Sequence, residues 1–137
     1  MPASLIPSSD EHHLVLLDHR ITELTLDTRS LRFQSWSLDG STEVRIAGPF
    51  ALRQGAGVER QLDPADTTTL GPVLAIVRRR LTSLTIASDG ELTATLDGGM
   101  ALVVPPSRRT DAWEVQGGGA LEGLSYRSLA SGELEIG

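Results

Sequence analysis

The chain has 137 residues and a mass of 14.6 kDa, with 39% apolar and 22% charged residues, proportions that suit one globular domain and argue against a chain disordered throughout. Its formal charge is −6 and its pI near 4.9, a field that repels phosphate backbones and argues against nucleic acid as a partner. Cysteine is absent, which excludes disulfides, thiolate metal sites and cysteine nucleophiles.

No apolar run approaches the roughly 20 residues that span a bilayer, and the start "MPASLIPSSDEHH" lacks the basic and apolar regions of a signal peptide. A cytoplasmic protein with no membrane association is expected. All twelve basic residues are arginine, and lysine and asparagine are missing, a composition of GC-rich genomes from which no binding mechanism follows.

Residues 1–12, with Pro2, Pro7 and three serines, read as a flexible arm, and 13–137 as a single domain. His13 to Leu17 read as a short edge strand or the last turn of a helix. "RITELTL" at 20–26 returns as "RLTSLTI" at 80–86. Leu24 and Leu26 in one copy, and Leu84 and Ile86 in the other, alternate with polar residues at the period of two of a half-buried strand.

The echo resumes in "SLDGSTEVRI" at 37–46 and "TLDGGMALVV" at 95–104, where Asp39-Gly40 and Asp97-Gly98 predict tight hairpin turns. Each copy, 20–50 and 80–106, thus predicts a three-stranded meander. In the first, Leu31 and Phe33 are out of phase with Trp36 and Leu38, and a bulge near Gln34 or Ser35 would restore the phase. Pro49 in one copy and Pro105-Pro106 in the other end the ladders, because proline has no donor.

Between the copies, "DPADTTTLGPVLAIVRRR" offers Asp66 or a threonine as a cap and Leu70, Val73, Leu74 and Val77 at helical spacing, which predicts one short helix ending in arginines. Gly71-Pro72 and the β-branched Val73, Ile76 and Val77 leave a strand over 73–77 as the alternative. After "DAWEVQ", "GGG" at 117–119 reads as a flexible turn, and "LSYRSL" and "GELEI" as a carboxyl-terminal hairpin. The expected class is α+β, mainly antiparallel β: two repeated three-stranded meanders joined by one short helix, with an extra hairpin. One sheet, a barrel and a sandwich all accommodate the meanders.

With "LDGSTEVRIAGPF", "RRLTSLTI", "LDGGMALVVPP", "DAWEV" and "GELEI", residues 18–137 resemble a family of small uncharacterised proteins of high-GC bacteria. The histidine-bearing arm and the longer first meander depart from its usual pattern. The resemblance implies a fold and supplies no activity, cofactor or functional residue.

The chemistry-bearing residues are sparse. "DEHH" at 10–13, with Asp18 and His19, contains metal-ligand types, but adjacent histidines in an arm lack the fixed spacing of a site, so no metal and no cofactor are expected. "GLSYRS" at 123–128 is not the Gly-x-Ser-x-Gly elbow, and any triad would draw on His12, His13 or His19. No catalytic residue is assigned.

Arg78, Arg79, Arg80, Arg108 and Arg109 are candidate anion ligands, since guanidinium forks suit phosphate and carboxylate. The plainer reading is a solvated helix end and loop. Glu114, Glu122, Glu133 and Glu135 are candidate partner-binding residues, as an acidic face can cap a basic protein; the plainer reading is the outer face of alternating strands. Most of the five aromatic residues, Trp36, Trp113, Tyr126, Phe33 and Phe50, should be core.

The expected function is a non-enzymatic protein-binding module of the immunity or inhibitor type, acting through an acidic surface. The alternatives are a small-molecule binder or small enzyme using the groove between the repeats, and a structural homodimer subunit.

Overall fold

The computed structural model describes residues 3–7, 12–27, 29–37, 40–55, 57, 59–87, 89–106, 112–118, 125–128 and 134–136. Twelve strands form one antiparallel sheet. They are β1 (Ala3–Pro7), β2 (His12–Leu26), β3 (Leu31–Ser37), β4 (Gly40–Ile46), β5 (Phe50–Gln54), β6 (Glu59–Leu62), β7 (Arg80–Ile86), β8 (Leu92–Leu96), β9 (Met100–Val104), β10 (Trp113–Gly118), β11 (Ser125–Ser128) and β12 (Leu134–Ile136). The order across the sheet is β12-β11-β10-β4-β3-β2-β7-β8-β9-β5-β6, with β1 on β2. Residues 3–7, within the segment read as an arm, are therefore β1, paired with the first half of β2.

Two meanders, β2-β3-β4 and β7-β8-β9, meet at the β2·β7 ladder, where Arg20 lies opposite Arg80. Hairpin partners are exchanged between the two halves. β5 follows β4 in the chain but pairs with β9, and β10 follows β9 but pairs with β4. Each exchanged strand carries a further antiparallel strand, β6 on β5 and β11 on β10, and β12 pairs with β11 at one border.

Register shifts occur between Ile21 and Glu23 on β2 and between Leu81 and Ser83 on β7. The irregularity predicted near Gln34 or Ser35 thus resides on the facing strand, at the level of those residues. β3 itself alternates without a break: Leu31, Phe33 and Ser35 are buried, while Arg32, Gln34 and Trp36 point the other way. The phase break read from the sequence is an outward-facing tryptophan.

Inward residues from both meanders make one hydrophobic cluster, including Ile21, Leu31, Phe33, Val44, Leu81, Leu84, Leu92 and Leu102. Phe50 of β5 and Trp113 of β10 join it from the exchanged strands. Trp113 is 1% exposed and its Nε1–H donates to Gly90 O at 2.9 Å, which fastens β10 to the turn between β7 and β8. The sheet therefore coils so that its inner face closes on itself.

The helix expected between the meanders is replaced by 3-10 turns at Thr67–Thr69 and Gly71–Ile76, and no α-helix occurs among the described residues. Local polar groups and the backbone explain the correction. Asp66 Oδ1 accepts Thr68 Oγ1–H at 2.6 Å and Thr68 N–H at 3.2 Å, tying the chain into a tight turn. Pro72 has no N–H to give, and the β-branched Val73 and Ile76 favour less helical backbone while burying fully in the core. Val77 is already extended and Arg78 adopts φ +75°, so neither the helix nor the alternative strand over 73–77 forms.

The Asp97-Gly98 turn is present as a 3-10 segment, Asp97–Gly99, with left-handed Gly98 (φ +74°) and Gly99 (φ +78°), a conformation that suits glycine. Gly40 opens β4 opposite Ser37, and Leu38 and Asp39 of that turn lie outside the described residues. Gly117 and Gly118, read as part of a flexible turn, instead extend β10 alongside Thr42 and Ser41. The backbone donors of the neighbouring strand outweigh the glycines' local freedom.

Tyr126 of β11 is 3% exposed, and burial raises its hydroxyl pKa above the ordinary phenol value of about 10. Because the folded value is the higher one, the folded state holds this proton more tightly. Its stabilising contribution is complete below the unfolded value and declines as pH rises from about 10 through the folded value. Tyr126 is the sole tyrosine, so ultraviolet phenolate absorbance should titrate above the free-phenol range, with unfolding free energy falling over that interval.

Candidate functional site

Alternation along β3 carries Trp36 to the outer face, where it is 51% exposed. Strand register then sets its neighbours. One row across the sheet runs Gly118, Ser41, Trp36, Arg20, Arg80, from β10 through β4, β3 and β2 to β7. The next row runs Gln116, Glu43, Gln34, Glu23. Arg20, Arg80 and Glu23 are exposed, and Arg32 Nε holds Glu43 Oε1 at 3.3 Å.

A shallow cleft of about 170 Å³ opens between these rows, lined by Gln34, Trp36, Ser41, Glu43, Gln116 and Gly118 among others. It exists because β10 ends in glycines: a Cβ on Gly118 would lie 2.5 Å from Ser41 Oγ. A second cleft of about 240 Å³ lies at the β5–β6 turn, lined by Arg53, Gly55, Gly57 and Glu59, where Arg53 Nε and Glu59 Oε1 pair at 3.1 Å. Both are smaller than the roughly 300–1,000 Å³ of ordinary small-molecule pockets.

Arg78, Arg79 and Arg80 of the predicted anion-ligand set lie within the described residues. Arg78 N–H donates to Ile21 O at 2.8 Å and Arg79 N–H to Ile76 O at 3.0 Å, while Arg80 N–H donates to Asp97 Oδ1 at 3.0 Å. Ile21 N–H also donates to Arg79 O at 2.9 Å, which with the Arg78 bond ties the linker end to β2; Arg80 joins the Trp36 row, and a Cβ on Gly98 would lie 2.5 Å from Arg79 Nη1. Arg108 and Arg109 lie outside the described residues.

Of the predicted acidic set, Glu114 is half-buried, and its Oε2 pairs with Arg127 Nε at 3.5 Å. Glu135 of β12 is opposite Arg127 in the ladder, so that arginine stands between two glutamate positions. Glu122 and Glu133 lie outside the described residues. The local charge is thereby partly compensated.

His12 and His13 belong to β2, opposite Ile86 and Thr85. His19 is fully buried with Nε2 at 3.1 Å from Ser37 Oγ, a serine–histidine contact that neither cleft reaches. Ser125 and Ser128 lie in the regular strand β11, so "GLSYRS" forms no nucleophile elbow over these positions.

Ser35 and Thr42 are buried cross-strand neighbours whose hydroxyls find no hydrogen-bond partner among the described residues. An unpaired buried hydroxyl costs about 1–3 kcal/mol. Thr42→Val keeps the branched shape and removes that hydroxyl, so its unfolding midpoint in denaturant should match or exceed the wild-type value.

Trp36 and Arg20 are outer-face candidates that the sequence left unmarked as site residues. The available signal was Trp36 lying out of phase with Leu31 and Phe33. Arg20 carried no local signal, because its neighbours come from β3 and β7.

A model of a family described as one of unknown function (DUF6188) matches residues 12–136. No curated protein and no solved structure matches the chain.

Proposed function

The chain belongs to the DUF6188 family of unknown function, and we propose that it is a non-enzymatic protein-binding module working in the cytoplasm, with the outer face around Trp36 as its contact surface. The half-exposed Trp36 carries this reading. A large indole left in water on a regular, otherwise polar sheet face offers the kind of residue that dominates binding energy once a partner covers it.

An immunity or inhibitor role accords with a compact binding surface on an acidic chain. The pairing of Glu114 with Arg127 moves the weight from the carboxyl-terminal glutamates to Trp36. The same reading takes the two meanders as duplicated copies, supported by the register shifts at matching places on β2 and β7.

A photo-crosslinking residue at Gln34, beside Trp36 on the outer face, tests the proposal in cells of the native host. One at Arg60 on the border strand β6 is the control. A single protein should crosslink from position 34 and not from position 60. No crosslink from position 34, or the same products from both positions, would overturn it.

A further inference from the structure

We propose that the cleft beside Trp36 binds the pyranose ring of an uncharged saccharide, with the indole against the ring's apolar face and Ser41, Gln34 and Gln116 bonding its hydroxyls. This goes beyond the binding-module reading, because it assigns a ligand class to the cleft itself. Its basis is an exposed indole set beside hydrogen-bonding groups that the fold leaves uncommitted.

The cleft is built from two adjacent rows of the outer face, Trp36, Ser41 and Gly118 in one and Gln34, Glu43 and Gln116 in the next. Gly118 leaves one corner without a side chain, and a Cβ there would lie 2.5 Å from Ser41 Oγ. β3 and β10 are two strand spacings apart, about 10 Å, so the indole stands as a wall beside the open floor over Ser41 and Gly118. All these residues sit on paired strands, and the shape exists before a ligand arrives. Its volume of about 170 Å³ is below that of sites for drug-sized ligands and suits a single sugar ring.

Among the described residues, the amides of Gln34 and Gln116 and the hydroxyl of Ser41 make no side-chain hydrogen bond. Each amide presents a donor and an acceptor side by side, a pattern that adjacent ring hydroxyls complement. Glu43 is the charged residue of the lining, and Arg32 Nε at 3.3 Å offsets it, which favours an uncharged ligand. A phosphorylated one would also meet the chain's formal charge of −6. A pyranose joins an apolar C–H face to a rim of hydroxyls, and the electron-rich face of the indole attracts polarised C–H groups. An aliphatic ligand would cover the indole and leave the amides and Ser41 without partners.

The test is calorimetric titration of the purified chain with glucose, galactose, mannose, N-acetylglucosamine and their α- and β-linked disaccharides. Sorbitol, which has the hydroxyls without the ring, is the control. At least one sugar should bind and sorbitol should not. Trp113 is 1% exposed, so the bound sugar should also shield tryptophan emission from acrylamide through Trp36. Trp36→Ala should weaken binding at least about tenfold, with Trp36→Tyr retaining part of it. Gly118→Ala, which fills the open corner, should weaken binding while thermal unfolding shows that the variant folds.

Tighter binding of a disaccharide than of its monosaccharide would support a glycan chain as the source of the ring, and equal binding a free sugar. No binding by any sugar of the panel, equal binding of sorbitol, or affinity indifferent to Trp36→Ala and Gly118→Ala would overturn the inference. The protein crosslink from position 34 requires no sugar, so its presence beside a failed panel would overturn the saccharide site and leave the binding module standing.

Discussion

Trp113→Ala should lower the unfolding free energy by about 3–5 kcal/mol, the range for truncating a large buried aromatic side chain. The side chain is 1% exposed and joins a cluster drawn from both meanders. It belongs to β10, whose partner β4 precedes it by a long stretch of chain, so the cavity would open where the sheet closes. Its Nε1–H also holds Gly90 O at 2.9 Å, and losing the indole leaves that carbonyl without this donor. Trp113→Phe separates the two effects: it retains most of the apolar volume and loses the bond, for an expected cost of about 1–3 kcal/mol. Denaturant midpoints of the two variants would rank them, and equal midpoints for alanine and wild type would contradict the assigned core.

The exchanged strands make this site sensitive. β5 and β10 each dock on the meander of the other half, so neither half contains all the pairings of its own inner face. No local pattern announces such exchange, because a strand's alternation specifies which face is buried and not which strand lies beside it. "RITELTL" and "RLTSLTI" were legible as strands from period alone, and Asp97-Gly98 as a turn. The pairing of Arg20 with Arg80 was not, since it depends on two segments meeting sixty residues apart in sequence.

The linker shows the opposite limit. Leu70, Val73, Leu74 and Val77 fit a helical stripe, yet Leu74 is 62% exposed while Val73 and Ile76 are buried. The tighter 3-10 winding puts residues three apart over one another, so Val73 and Ile76 share the buried side and Leu74 leaves it. Leu70 continues that spacing and is buried as well. A spacing of three in place of the alternating three and four of an α-helix was present in the residues, masked by the apolar Leu74.

Trp36→Ala should have the contrasting signature: little change in the free chain's stability and a large loss of partner binding. Truncating a side chain that is 51% exposed removes little buried surface, so the unfolding midpoint should correspond to within about 0.5 kcal/mol of wild type. Covering the indole in a complex would bury an anchor of the type that costs about 2 kcal/mol or more when truncated, a loss of roughly 30-fold in affinity. The measurement is calorimetric titration with the protein crosslinked from position 34, alongside denaturant unfolding of the uncomplexed variant. Lost affinity with unchanged stability identifies Trp36 as a contact. Unchanged affinity would remove it from the interface, and a loss of stability as large as that of Trp113→Ala would make it a structural residue despite its exposure.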